Sequence, residues 1–147
     1  MKAQDLMTRD VWSCTEDTSI QEAAKMMFER EVGALPIVDS EHRLKGMLTD
    51  RDICCRAVGQ GKGFSTPVSE IMSKALHFVN DQTDIEEVES VMKEYKIRRL
   101  PVVDENRKLK GIISIGDLAT HLHGLWKEHH VAETLEAVST GPESSKF

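Results

Sequence analysis

Apolar residues recur along this chain with two periods, and each period is used twice. Ile20, Ala23 and Met27 fall on one face of a 3.6-residue repeat, and Ile85, Val88, Met92 and Tyr95 do the same further on. Two amphipathic helices are expected there. Each follows a capping-box pattern, Thr18-Ser19-Ile20-Gln21 and Thr83-Asp84-Ile85-Glu86, in which the Thr hydroxyl and the Gln or Glu side chain satisfy free first-turn amides. Short apolar runs come next, Leu35 to Val38 and Leu100 to Val103. Pro stands second in each and removes a ladder donor, which predicts a strand's beginning or edge. Polar turns at Asp39 to Arg43 and Asp104 to Lys108 lead into second strands at Lys45 to Thr49 and Lys110 to Ser114. A further helix opens near Asp52 and again near Asp117. The predicted unit is strand, helix, strand, strand, helix, a mixed α/β pattern.

The two units are copies. The stretch VGALPIVDSEHRLKGMLTDRDI (Val32 to Ile53) returns as IRRLPVVDENRKLKGIISIGDL (Ile97 to Leu118), at a constant offset of 65 residues. The register holds upstream without a gap, Met7 on Met72, Thr18 on Thr83 and Met27 on Met92. The expected organisation is a first repeat with its lead-in over 1–58 and a linker over 59–66 containing Gly59, Gly61 and Gly63. A second repeat follows over 67–122, with Thr66-Pro67 opening a lead-in helix from Pro67 to Met72, and then a polar helical tail over 123–147. The end of that tail, Ser139 to Phe147, is expected to fray.

Composition narrows the function. With 147 residues, 39% hydrophobic and 30% charged, the chain can bury a real core and is neither collagen-like nor disordered. Nothing approaches the stretch of about 20 apolar residues that spans a bilayer. The start, Met1-Lys2-Ala3-Gln4-Asp5, leads into no apolar secretion segment. Three cysteines, Cys14 and the adjacent Cys54 and Cys55, make a poor disulfide framework, so a reducing cytoplasm is expected. A net charge of −6 argues against nucleic acid as a partner. No G-x-S-x-G, P-loop or G-x-G-x-x-G motif is present, and no strand feeds the Gly59 to Gly63 run. No catalytic residue is expected, and the protein is read as a non-enzyme.

Two tandem copies of the pattern h-x-x-LPVVD-x-x-x-x-hKGhh-[ST]-x-x-D resemble a pair of CBS domains, the Bateman module. The likeness runs from Met1 to about Leu122 and is greatest to small stand-alone bacterial CBS-pair proteins. It implies a mixed α+β fold of two β-α-β-β-α repeats related by pseudo-two-fold symmetry. It also implies two clefts that hold adenine nucleotides: AMP, ADP or ATP, with NAD or S-adenosylmethionine used by some members. An energy-sensing regulatory role follows, with a homodimer, an unidentified protein target, no required cofactor and no metal.

Carried onto this sequence, one cleft would combine Ile112, Ser114 and Asp117 with Val32, Gly33 and Ala34, the lead-in residues Met7 and Trp12, and Arg98 and Arg99 reaching the phosphates. The other would combine Met47, Thr49, Arg51 and Asp52 with Ile97, Arg98, Arg99 and Met72. The chemistry is coherent. Thr49-Asp50-Arg51-Asp52 and Ser114-Ile115-Gly116-Asp117 sit where a strand yields to a helix, with unpaired amides and a dipole that favours anions. A carboxylate accepts from both ribose hydroxyls, and guanidinium forks suit phosphate. Each residue also has a plainer role: Asp52 and Asp117 as helix caps, Arg51 in a surface salt bridge, Arg98 and Arg99 as a solvated pair, Trp12 as a core or dimer contact. The copies differ where it matters, with Arg98-Arg99 in place of Gly33-Ala34 and Ile115-Gly116 in place of Asp50-Arg51. Unequal sites are expected, the Ser114 and Asp117 cleft being the stronger.

The alternative is a redox- or metal-responsive CBS-fold protein that binds no nucleotide. His121, His123, His129 and His130 gather near Glu128 and Glu133, and His129 and Glu133 would share a helix face. Neither HExxH nor CxxC occurs, and Cys54 and Cys55 diverge too far around a helix to bridge each other. Met26 beside Met27 and Phe28 gives the first long helix more than one apolar face, which motivates the dimer.

Overall fold

The computed structural model describes residues 1–74, 77–121 and 132–137. Along the chain the elements are α1 (Ala3–Leu6), α2 (Ile20–Arg30), β1 (Ala34–Val38), β2 (Leu44–Thr49) and α3 (Asp50–Asp52), which runs on as a π-helical turn, Ile53–Ala57. Two 3-10 turns, Val58–Gln60 and Val68–Glu70, precede β3 (Ser73–Lys74), β4 (Val79–Asn80), α4 (Ile85–Tyr95), β5 (Arg99–Val103), β6 (Leu109–Ser114) and α5 (Ile115–His121). Residues 132–137 are helical. The sheets are three-stranded, ordered β1-β2-β3 and β4-β5-β6, so the mixed α+β expectation holds. Among the described residues, no helix is long and apolar enough to cross a membrane.

Packing divides the chain into two compact units that are not the two repeats. One comprises Met1–Asp10, His77–Asn106 and Lys110–Phe147, and the other Val11–Leu76 and Arg107–Leu109. Each repeat's lead-in is therefore built into the unit that holds the other repeat's hairpin. In the first unit Thr8 bridges Ile112, its amide donating to the Ile112 carbonyl at 2.9 Å and its carbonyl accepting from the Ile112 amide at 3.1 Å. In the second unit the equivalent Ser73 pairs with Met47 as β3 adds to β2. The helix expected over Pro67 to Met72 is shorter, since only Val68–Glu70 turns, as a 3-10 segment with Pro67 at its N-cap, whereas the first lead-in carries α1.

Local chemistry explains the long helices, with two corrections. Ser19, not Thr18, caps α2: its Oγ accepts from the Glu22 amide at 3.1 Å, while Thr18 Oγ1 accepts from the Thr15 amide. Asp84 stands at the N-cap of α4 without a side-chain cap bond and instead pairs with Lys2 at 2.7 Å. Both helices end in a non-glycine left-handed residue, Glu31 and Lys96, each at φ 54°. Pro36 lies on edge strand β1, where its carbonyl accepts from the Cys14 amide. Pro101 lies on central β5, contrary to the edge expectation. It is tolerated because two-residue β4 reaches only Val102 and Val103.

Each unit closes its own core. Ile20, Ala23 and Met27 of α2 join Leu35, Ile37, Leu48, Val68 and Ile71 in one. Ile85, Val88 and Met92 of α4 join Leu100, Val102, Ile113 and Leu118 in the other, with Ala3, Leu6 and Met7 from the lead-in. Tyr95 does not join the buried face. It is 46% exposed and stacks on His77, ring centroids 3.9 Å apart.

Candidate functional site

The two candidate turns have the same construction. At the end of β2 the Thr49 hydroxyl accepts from the Asp52 amide at 3.1 Å, and Asp52 Oδ2 accepts from the Thr49 amide at 2.9 Å. At the end of β6 the Ser114 hydroxyl accepts from the Asp117 amide at 3.1 Å, and Asp117 Oδ2 accepts from the Ser114 amide at 2.7 Å. Each is a reciprocal capping box, in which Thr49 and not Asp52 stands at the N-cap and the carboxylate three residues on bonds back to it, with Ser114 and Asp117 arranged alike. The capping role expected of Asp52 and Asp117 is thus a reciprocal one. It does not exhaust them, because a carboxylate offers about four acceptor positions. Thr49 and Asp52 are 5% and 8% exposed, so their chemistry is fixed by the fold rather than by solvent.

The strand starts are tied to these turns within the same unit. The Asp50 amide donates to the Gly33 carbonyl, and the Ile115 amide donates to the Arg98 carbonyl, both at 2.9 Å. Ala34 pairs directly with Thr49 across β1 and β2. One unit thus gathers Gly33, Ala34, Thr49, Asp50 and Asp52, and the other gathers Arg98, Arg99, Ser114, Ile115 and Asp117. Met47 and Ile97 are buried beside them, Ile112 is half-buried, and Arg51, Val32 and Arg98 are exposed.

The differences between the copies are coupled. A Cβ on Gly33 would stand 3.1 Å from Asp50 Oδ2, so the glycine makes room for the carboxylate. Where Asp50 becomes Ile115, Gly33 becomes Arg98. The first turn therefore carries an extra acid and a bare backbone, and the second a pair of guanidinium groups.

Three neighbours are not apparent from the motif. Arg56 lies 3.6 Å from Asp52 Oδ1, a pair whose i,i+4 spacing was readable in the sequence. Asp50 is the second, through its contact with Gly33. Arg30 is the third: its guanidinium lies over the Trp12 ring at 3.5 Å from the centroid. Trp12, 44% exposed, is thereby engaged on one face with the last turn of α2, a contact no local pattern announces.

The rival chemistry finds less. Cys14 is buried, and Cys54 and Cys55 are exposed on the π-helical turn, all as free thiols. Burial pushes the Cys14 thiol up to about 11. His123, His129, His130 and Glu128 lie outside the described residues, as does the side chain of His121. Among the described residues no three His, Cys, Asp or Glu side chains are placed to hold a metal.

Comparison with known proteins bears on this geometry. The CBS domain family model matches residues 3–58 and 68–124. The CBS domain-containing protein YhcV of Bacillus subtilis is 46% identical over 118 residues, 80% of this chain and 83% of that protein. Hypoxic response protein 1 of Mycobacterium tuberculosis is 36% identical over 92% of each chain. The crystal structure of Hypoxic Response Protein I with two coordinated zinc ions superposes with a TM-score of 0.77, covering 84% of this chain and 100% of that one. CBSX2, solved in complex with AMP, is 28% identical with a TM-score of 0.73, over 81% and 93% of the chains. The sequence likeness and the twice-used turn agree, and the chain belongs to the CBS-domain family, with two such domains in tandem.

Proposed function

We propose that this protein is a non-enzymatic regulatory module that binds adenine nucleotides of the AMP, ADP and ATP class. The observation that carries the reading is the duplicated turn, in which Asp52 and Asp117 are each held by a backbone amide beside a Thr or Ser hydroxyl. A carboxylate so fixed keeps acceptor capacity for ribose hydroxyls at no further ordering cost. The AMP complex of CBSX2, a relative of the same fold, supports it. Arg98 and Arg99, at the start of the strand beside Ser114 and Asp117, supply the phosphate partners. Trp12, Val32, Gly33 and Ala34 supply the base wall, and Met47, Thr49, Arg51, Asp52 and Ile97 serve the second site. Nucleotide shifts the population of conformations and changes the surface offered to a protein target. The chain works as a homodimer in a reducing cytoplasm. Phe28, 85% exposed on α2, supports the dimer, and the three free thiols support the compartment.

Calorimetric titration with AMP, ADP, ATP, NAD and S-adenosylmethionine tests the reading. Saturable binding of at least one adenine nucleotide is expected, and no binding by any at millimolar concentration overturns it. A metal-responsive reading draws on the two zinc ions of Hypoxic Response Protein I. Zinc titration that changes the fold or oligomer while nucleotides do nothing would favour it.

A further inference from the structure

A second binding feature lies at the other end of β2 from Thr49 and Asp52. The unit formed by Val11–Leu76 and Arg107–Leu109 contains a cavity of about 680 Å³, floored by Leu44 and Met72. Its polar wall is Arg43, Lys45, Lys74 and Arg107, against Glu16 and Asp39. Four cationic groups on one concavity are unusual in a chain whose net charge is −6. β2 has six residues and a rise of about 3.4 Å per residue, so its two ends lie roughly 17 Å apart.

The fold holds these cations there. Asp39 Oδ1 accepts from the Glu41 and Arg43 amides and Asp39 Oδ2 takes Arg43 Nε, all at 2.9 Å. That carboxylate is thus committed to the turn and aims the Arg43 side chain. The Leu44 amide donates to the Arg107 carbonyl and the Leu109 amide to the His42 carbonyl, at 3.1 and 3.0 Å, which fixes the Arg107 backbone against the same turn. Lys74 pairs with Gly46 at the β2–β3 edge. Among the described residues, neither Lys45 nor Lys74 makes an ion pair. Arg43 pairs with Glu41 as well as Asp39, each at 2.9 Å, so the cationic charge left without an ion pair on this wall is that of Lys45 and Lys74, and a multivalent anion can pair with both. Among the described residues no aromatic ring lines the wall, so none of them selects a base there.

We propose that this cavity is a second anion site, one that takes a chain of phosphate groups and is separate from the adenine site. The phosphate chain can be inorganic or carried by a nucleoside triphosphate. The inference does not rest on the adenine reading: Met72, an apolar floor residue, is shared with the second adenine cleft, but none of the cavity's charged groups is.

The test uses the full-length protein and inorganic tripolyphosphate, titrated calorimetrically. Wild type should bind it saturably, with affinity falling as salt rises. Lys45→Glu/Lys74→Glu should lose about tenfold or more, the expected effect of removing charge-assisted partners. AMP binding should be unchanged in that variant. Glu16→Gln should tighten tripolyphosphate binding, a gain that misfolding cannot produce. A Thr49→Ala/Ser114→Ala background then separates the sources. ATP binding that survives there and is abolished by the lysine reversals marks a nucleotide-borne chain, and tripolyphosphate binding alone marks an inorganic one. Absence of saturable tripolyphosphate binding by wild type, binding undiminished in the lysine variant, or binding displaced by AMP would each overturn the proposal.

Discussion

Replacing Gly111 by Ala should damage this protein far more than the addition of one methyl group suggests. A Cβ at Gly111 would lie 2.5 Å from the Thr8 carbonyl oxygen and 2.9 Å from Met7 Cγ and Sδ. The Met7 side chain can swing aside, but the carbonyl cannot, because it accepts from the Ile112 amide while Thr8 donates back. Relief requires the lead-in to retreat by about 1 Å, to reach ordinary contact. Overpacking of this kind costs about 1–3 kcal/mol, and weakening two backbone hydrogen bonds adds about 1 kcal/mol each. A loss of about 3–5 kcal/mol is expected, or roughly 6–20 °C in Tm for a chain of this size. Urea unfolding followed by circular dichroism reads it as a drop in midpoint at constant slope. Gly46→Ala should behave alike, its Cβ falling 2.5 Å from the Ser73 carbonyl oxygen, whereas Gly63→Ala meets nothing within 4 Å and should lose nothing. A Gly111→Ala protein within about 1 kcal/mol of wild type, the size of an ordinary substitution, would refute the close-approach argument.

Asp117→Ala should weaken nucleotide binding by roughly 1–3 kcal/mol and by more than Asp52→Ala, because Arg98 and Arg99 start the strand beside Asp117; equal losses in calorimetry would mean equivalent sites. Ser19→Ala should cost about 1 kcal/mol in chemical denaturation, and no measurable loss would return the α2 cap to Thr18. With its thiol pushed up to about 11 by burial, Cys14 favours the folded state fully below the ordinary thiol value and loses that contribution as pH rises through about 11. Cys14→Ala should therefore flatten the alkaline side of the stability curve. In native protein a thiol reagent should modify Cys54 and Cys55 quickly and Cys14 only on unfolding, and three equally fast thiols would contradict its burial.

Much of the architecture was legible because the two periods are local properties. The buried faces of α2 and α4 follow from 3.6-residue spacing, and the hairpins follow from apolar runs around Asx-type turns at Asp39 and Asp104. At the candidate turns the caps read three positions late, on Asp52 and Asp117, because Thr49 and Ser114 are equally competent and the carboxylates bond back to them. The helix ends were harder to read, since Glu31 and Lys96 adopt a left-handed conformation that glycine ordinarily marks. The cap of α2 shifted by one position because Thr18 and Ser19 are both competent, and the backbone turn at Thr15 claims Thr18. Tyr95 kept the helical period yet stayed outside the core, because it falls in the last turn of α4 and stacks on His77.

What self-comparison could not show is which copy each segment serves. A repeat read along the chain assigns Met7 to the first half and Met72 to the second, since sequence adjacency is its only evidence of grouping. Packing groups Met7 with Ile113 and Leu118, and places Met72 against the core of Leu35 and Leu48. The Lys-Gly pair in each hairpin is the physical counterpart of that exchange: Gly46 and Gly111 are bare so that a carbonyl from the other copy's lead-in can approach. Strand β2 carries Gly46 between Lys45, which lines the cationic cavity, and the capping box at Thr49, so the lead-in carbonyl seated on Gly46 braces the strand between its two polar ends.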